Sequence, residues 1–387
     1  MSTEVTLGDV AQWGSGGTPK RSIPEYFGDG TPWLSIADLN DGIVTSAKES
    51  LTADGIANSA AKIVPPGTLL VAMYGSIGKL GIAATEMATS QAIAFAKPRE
   101  DLVDRRYLFH YLLAQRPRLQ ALGRGGTQMN IGQADLKAWP IPLPSLPEQR
   151  RIATILDHAD TLRTKRRQVL THLDSLADAT FLETFGPPQL WPTHWSMGTI
   201  GELATNVDYG TSGKAGDTGE WPILRMGNVT DDGHLDLSDL KYIDLTPAEI
   251  PKYTVRRGDM VFNRTNSKEK VGKAAVIRTD EPLALAGYLV RVRFDDSASA
   301  EFVSAYLRSP HGKAVRKKLA KTAVNQANIN ATEMQRIAIA QPPASVRKSF
   351  QSILESIHYQ RIETEHVLEA DNDLFISLQS RAFRGAL

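Results

Sequence analysis

EQRRIATILDHADTLRTKRRQVLTHLDSLADATFLETF, Glu148 to Phe185, decides how the rest of the chain is read. Apolar residues recur at spacings of three and four, at Ile152, Ile155, Ala159 and Leu162, then at Val169, Leu173 and Leu176 after one polar break at Arg166. That is the stripe of a helix that packs along its length on another helix. It opens behind Pro147 with Glu148 in its first turn and stops before Gly186, Pro187 and Pro188, so both ends carry the expected start and stop chemistry. At 1.5 Å per residue it runs about 55 Å, longer than a small domain is wide.

A second copy of the stripe lies near the end of the chain. Phe350, Ile353, Leu354, Ile357, Val367, Leu368 and Leu374 stand 198 residues after Ile152, Ile155, Leu156, Ala159, Val169, Leu170 and Leu176. The segments ahead of the helices repeat in the same order. Leu7-Gly-Asp-Val10 is answered by Ile200-Gly-Glu-Leu203, PWLSIADLNDG at Pro32 by WPILRMGNVTDDG at Trp221, and Pro66-Gly-Thr-Leu-Leu70 by Arg257-Gly-Asp-Met-Val261. Ile77-Gly-Lys79 then matches Val271-Gly-Lys273, Tyr107 to Leu112 matches Phe302 to Leu307, and Thr127-Gln-Met-Asn-Ile131 matches Asn325-Gln-Ala-Asn-Ile329. Matches in a constant order argue a tandem duplication, and the period is far too long for a solenoid.

The expected organisation is therefore a first α/β domain at 1–146, a central long helix at 147–186, a second domain at 187–343 and a C-terminal long helix at 344–387. Within the first domain PWLSIADLNDG reads as a strand into a turn at Asp41-Gly42, TLLVAMYGSIGKLGIA as strands with tight loops, and Tyr107 to Ala121 as a helix interrupted at Pro117. Neither long helix can leave its stripe in water. Burying roughly 1,000 Å² between them contributes tens of kcal/mol before entropy is subtracted. Antiparallel packing of the pair, as a coiled-coil spacer, would set two pseudo-symmetric domains at the ends of a rod.

Composition narrows the function. The chain has 387 residues, 42% hydrophobic and 22% charged, with a formal net charge of +1. It has no cysteine, which removes disulfides, thiolate zinc sites and cysteine nucleophiles together and fits a reducing, cytoplasmic setting. The first residues, MSTEVTLGDV, lack a signal-peptide core, and no 18 uncharged apolar residues follow one another. Gly75-Ser-Ile-Gly-Lys79-Leu80 lacks the spacing and the Ser/Thr of a phosphate loop. The Pro-Pro pairs lack the flanking Asn or Asp and aromatic residue that an amino-methyltransferase needs around a flipped base. The eight histidines form no metal motif, and His158 and His172 read as helix surface. No catalytic residue, metal ligand or bound cofactor is expected; the chain reads as a binding protein.

Two stretches point to what it binds. Between Asp104 and Asp135 there is no acid, while Arg105, Arg106, Arg116, Arg118 and Arg124 are basic. Phe302 to Thr332 is likewise acid-free and carries Arg308, Lys313, Arg316, Lys317, Lys318 and Lys321. Repetition of the pattern argues two faces that meet the phosphates of double-stranded DNA. Each run ends near a Gln-x-Asn loop, and the amides of Gln128, Asn130, Gln326 and Asn328 suit adenine in the major groove, though they serve equally as loop caps. Positions that differ between the halves are better readers of sequence. In the first half these are Ser15, Thr18, Lys20 and Arg21, with Tyr74 and Ser76 in the loop opposite Asn263; Lys79 and Arg124 are further candidates for the DNA face. In the second they are Tyr209, Thr211, Ser212 and Lys214, Arg225, then Asn263, Arg264, Asn266 and Lys268, with Lys273, Lys317 and Lys321 as phosphate contacts.

LPEQRRIATILDHADTLRTKRRQ after a Pro-rich strand, the GDMVFN and GTLLVA strands, the Q-x-N-I loops and the C-terminal SLQSRAFRGAL together resemble the DNA-specificity subunit of a type I restriction-modification system. The resemblance covers essentially the whole chain, with one departure: Ala344-Ser-Val-Arg347 replaces Leu146-Pro-Glu-Gln149 in the second copy. It implies two α/β target recognition domains, each reading one half of a bipartite, asymmetric site, in a subunit that is not itself catalytic. It further implies two methyltransferase subunits that use S-adenosylmethionine on adenine N6, with restriction subunits dependent on ATP and Mg as further members of the assembly. Glu148, Gln149 and Arg150, at the entry to the first long helix, are the expected partner contact. The helices would act as a ruler for half-sites roughly 34 to 36 Å apart. Three other readings fit the same residues: a DNA methyltransferase or nuclease with an unfamiliar motif, a scaffold that binds no DNA, and the specificity subunit of a related combined restriction-methylation enzyme.

Overall fold

The computed structural model describes residues 4–125, 129–323 and 326–387. The chain divides into two compact units, Met1–Lys165 with Val367–Leu387, and Arg166–His366.

The first unit is built on two sheets. One has the strand order Ala11–Ser15, Ile93–Pro98, Leu69–Ala72, Leu80–Ala83, Ile43–Val44; the other has the order Glu49–Leu51, Phe27–Leu34, Met87–Thr89, Lys62–Val64. Leu69–Ala72 and Leu80–Ala83 are buried at every residue, which is why they read as continuous apolar runs with no alternation. The Pro32 segment is a strand only as far as Leu34. Ser35 then starts a 3₁₀ turn, its backbone N–H and hydroxyl both donating to the Asp38 carboxylate, and Asp41 takes the positive φ that closes the turn.

Helix α1, Arg105–Ala121, is capped by Asp104, whose carboxylate accepts the amides of Arg106 and Tyr107 at 2.9 and 3.1 Å. Pro117 does not interrupt it. The ring is on the exposed side, and burial of Tyr111 and Leu112 before it and Leu119 after it holds both turns on the core. Helix α2 is continuous over Leu146–Phe185, 40 residues. It begins ahead of Pro147 and not behind it, because a proline in the first turn gives up an N–H that no helical carbonyl would receive.

The second unit repeats these parts. Its sheets have the orders Ala204–Tyr209, Leu289–Phe294, Met260–Asn263, Ala274–Val276 and Lys241–Ile243, Trp221–Leu224, Leu283–Leu285, Thr254–Val255. In both units the second sheet contains one parallel pair, Phe27–Leu34 with Met87–Thr89 and Trp221–Leu224 with Leu283–Leu285. Helix α3, Ser297–Arg308, is capped by Asp296 as α1 is by Asp104, and α4, Pro310–Leu319, follows it. Helix α5, Ala344–Ala382, is the second long helix. The fold is thus α/β, two like units whose chain is carried by two long helices.

Within each unit the helices run antiparallel. In the first, Arg151 donates to the Leu387 carbonyl at 2.9 Å and Arg163 to the Asn372 side chain at 2.8 Å. In the second, Arg361 meets Asp174 and Phe350 meets Phe181. The expected stripe is buried only in part. Ile152, Ala153, Leu156 and Ala159 enter the first core, and Phe181 and Phe185 the second, whereas Leu162, Val169 and Leu176 are 46%, 40% and 50% exposed. Two apolar stripes share the helix, and only the packed neighbours decide which is covered.

Candidate nucleic-acid interface

The loops beside the first sheet of each unit gather part of the expected site. In the first unit Tyr74 forms a β-bridge with Asn130, and Asn130 exchanges backbone hydrogen bonds with Arg124 at 2.8 and 2.9 Å. Tyr74, Ser76, Arg124 and Asn130 are therefore brought to one surface, where the first three are exposed. Ser15, at the end of its strand, and Thr18 and Lys20 are exposed as well. Arg21 is engaged: it makes two bonds to Glu49 at 2.6 and 2.8 Å and lies over the rings of Phe27 and Trp33. Lys79 turns inward to the Ile36 carbonyl at 3.3 Å. Gln128 lies outside the described residues, as do Thr127 and Asn325 of the repeated loops.

In the second unit a three-stranded sheet, Thr265–Asn266, Gln326–Asn328 and Lys321–Ala323, occupies the corresponding place. Thr265 pairs with Asn328 as Tyr74 pairs with Asn130, and the Asn328 amide donates to the Thr265 hydroxyl at 2.8 Å. Gln326, Lys268, Ser212 and Lys214 are exposed, and Asn266 accepts the Ser267 amide at 2.8 Å. Lys268, Lys313 and Lys317 line a depression of about 260 Å³ whose floor includes the buried Arg316. Burial lowers the Arg316 guanidinium to about 10, against the pull of Asp231. Tyr288, 52% exposed, stands beside Arg264 and has no counterpart in the sequence argument, because nothing in its segment distinguishes it from a strand start.

Several expected contacts are structural instead. Asn263 is fully buried and its amide donates to the Met226 carbonyl at 3.0 Å. Thr211 is buried and accepts the Gly213 amide. Lys273 pairs with Asp231 at 3.0 Å, Arg225 with Asp239 at 3.0 Å, and Lys321, although exposed, with Glu333. Gln149 is also buried: it accepts the Asp104 amide and donates to the Leu102 and Pro144 carbonyls, so it cannot meet a partner. Glu148 is held by Arg151 at 2.7 Å, and Arg150 is exposed.

The acid-free stretches are less positive in space than in sequence. Arg105 pairs with Glu100, Arg106 with Asp157, Arg116 with Asp41 and Arg308 with Asp178, all carboxylates from outside the run. The charges left over are Arg124, exposed in the first unit, and the lysines around Lys268 in the second.

One cluster has metal-ligand composition: Asp174, Asp232 and His234 bring their ligand atoms within 4.8 Å. Its surroundings are cationic. Arg361 lies 2.5 Å from Asp174 and Arg308 donates to the Asp232 backbone carbonyl, so a cation would meet one carboxylate already paired and two guanidinium groups close by. His234 and His358 stack with ring centroids 6.5 Å apart over a groove of about 810 Å³, in which Arg257, Arg278 and Arg361 are each paired with a carboxylate.

Residues 2–172 match the family model described as type I restriction modification DNA specificity domain. The EcoKI specificity subunit of Escherichia coli strain K12 is 23% identical over 95% of this chain and 85% of its own length. The chain belongs to the DNA-specificity subunits of type I restriction-modification systems. The StySPI specificity subunit of Salmonella potsdam is similar at 22% identity over 93% of this chain and 83% of its own. The S subunit from M. genitalium has the same fold, with a TM-score of 0.59 at 16% identity over 99% of this chain and 96% of that one. A chain solved in work on complex assembly and conformational transition of the type I R-M system gives 0.56 at 18% identity, over 100% of this chain and 98% of that one. As a specificity subunit the chain is non-catalytic, and it directs methyltransferase and restriction subunits to target DNA. Among the described residues no helix is long and apolar enough to cross a membrane.

Proposed function

We propose that each unit of this specificity subunit reads one half of a bipartite, asymmetric duplex site in the cytoplasm. The observation that carries the reading is the shared frame with different furnishing: Tyr74 paired to Asn130 in one unit, Thr265 paired to Asn328 in the other. A common frame docks on the same phosphate geometry, and unlike side chains on it select unlike bases. In the first unit the readers are Tyr74, Ser76, Arg124 and Asn130, flanked by Ser15, Thr18 and Lys20. In the second they are Tyr209, Arg264, Asn266, Gln326 and Asn328, with Lys268 and Lys317 on phosphates and Ser212 and Lys214 at the rim.

The half-exposed apolar residues of the long helices serve the methyltransferase partner. The first unit presents Leu162, Leu374 and Ile376, and the second presents Val169, Leu176, Ile353 and Ile362. Apolar surface of this kind is matched by a protein partner. Each unit offers its own face, which fits two methyltransferase subunits. Those partners would bring S-adenosylmethionine for adenine N6, and restriction subunits would bring the requirement for ATP and Mg. Mapping methylated adenines in DNA treated with the reconstituted complex tests the reading. An asymmetric two-part motif supports it, and methyl transfer by the purified chain alone would refute it.

A further inference from the structure

We infer that Arg264 reads a guanine in the half-site of the second unit; the inference rests on the DNA-reading role proposed above. Its guanidinium carbon lies 4.9 Å from the centroid of the Tyr209 ring, and that ring is 42% exposed. The Tyr209 hydroxyl accepts the Ala331 amide at 3.1 Å, which pins the ring. The backbone of Arg264 is pinned on both sides: its amide donates to the Tyr288 carbonyl at 3.1 Å, and its carbonyl accepts the Ile329 amide at 2.9 Å.

No carboxylate pairs with this guanidinium among the described residues, and its Nε is buried without a partner. Neighbouring arginines of the unit behave differently: Arg278 meets Glu301, Arg291 meets Asp208, Arg293 meets Asp259 and Arg308 meets Asp178. Arg316 also lacks a carboxylate contact, but its side chain is buried, on the floor of the depression beside Lys268. Arg264 is thus a charged fork held over an aromatic face, with its two Nη groups as the edge available to an acceptor pair. Guanine O6 and N7 present such a pair in the major groove. Placement over the ring restricts the fork in advance and lowers the entropy lost on contact.

A phosphate offers paired acceptors too, and the first unit decides between them. The residue equivalent to Arg264 is Met73, whose carbonyl accepts the Ile131 amide at 2.9 Å just as Arg264 accepts from Ile329, and whose side chain is buried. The backbone role is common to both units and the guanidinium belongs to one. Phosphate contacts are blind to sequence and would be useful in both halves, whereas a group found in one half fits a base found in one half.

The test uses the complex reconstituted with its methyltransferase subunits and genomic DNA as the probe, with methylated adenines mapped for the wild type and for Arg264→Gln, Arg264→Lys and Tyr209→Leu. Arg264→Gln should relax discrimination at one guanine of one half-site by about 10- to 100-fold and leave the other half-site intact. Arg264→Lys should fail to restore it, because a point charge cannot replace the fork. Tyr209→Leu, which keeps the arginine and removes its platform, should weaken the same position and guards against misfolding of the first variant. An unchanged motif overturns the inference, as does uniform weakening on all sequences with a shallower salt dependence, which marks a phosphate contact. If the wild-type complex shows no sequence preference, the DNA-reading role itself fails, a different result from either.

Discussion

The side-chain oxygen of Gln149 accepts the backbone amide of Asp104 at 2.8 Å, tying the first turn of one helix to the cap of another. The Gln149 side-chain Nε2 donates to the carbonyls of Leu102 at 3.0 Å and Pro144 at 2.8 Å. The second unit does this with a different residue. Arg347, 198 positions later, donates to the Pro342 carbonyl at 2.7 Å and reaches the carboxylate of Asp296, the cap of α3, at 3.5 Å. The departure of the second copy from Leu-Pro-Glu-Gln therefore preserves the clamp.

Gln149→Leu should cost the first unit about 2 to 4 kcal/mol in thermal or denaturant unfolding, since it leaves buried backbone groups without partners. Arg347→Gln should cost less than about 1 kcal/mol, because an amide can still take the Pro342 carbonyl, while Arg347→Leu should cost more. Equal losses for the two Arg347 variants would show that the clamp is not shared.

Asp157 joins α2 to α1 by accepting from His110 at 2.7 Å and from Arg106 at 2.9 Å. Burial alone would raise this carboxyl, but the hydrogen bonds from His110 and Arg106 outweigh it and hold the group at about 2. Its folded value is depressed, so the stabilisation is present above its ordinary value of 3.8 and is lost as pH falls toward 2. For a side chain 35% exposed, solvent screening trims that contribution to about 1 to 2 kcal/mol. The stability gap between wild type and Asp157→Asn should be widest above pH 5 and close on acidification; a gap independent of pH would contradict this account.

His234 and His358 set a second acid limit, in the other unit. Burial, then the charges of Arg361 and Arg278, lower His234 to about 3; burial, then Arg278 and Arg361, lower His358 to about 4. The unfolded chain takes up these protons near 6.5 while the folded unit refuses them, so stability is full above that value and erodes as pH falls below it. At pH 5 the loss should be about 1 to 2 kcal/mol for each. A His234→Gln, His358→Gln chain should show a flatter melting profile between pH 7 and 5, and an undiminished slope would exclude the pair as its source.

Lys268 and Lys317 should act on phosphates. Replacing both with alanine should weaken binding to all duplex sequences alike and reduce the slope of log affinity against log salt by about 2, with the methylation motif unchanged. A changed motif would assign them to base reading.

The sequence determined whatever depends on order along the chain: the repeated segments in their constant order, two long helices, the first with its stop at Gly186, and the strands that read as buried apolar runs. Those signals are local periods, and a period survives without neighbours. Tertiary structure alone decided which side chains remain free. Arg106 and Arg116 sit in acid-free sequence, yet Asp157 and Asp41 reach them from 51 and 75 residues away. Asn263 and Gln149 look like polar surface in a string of letters, yet each is buried because a backbone carbonyl awaits it there. Leu162, Val169 and Leu176 carry the helical period as clearly as Leu156 does, and only the packed cores select Leu156 for burial. Burial and charge pairing are properties of distances between remote segments, and spacing along the chain does not contain them.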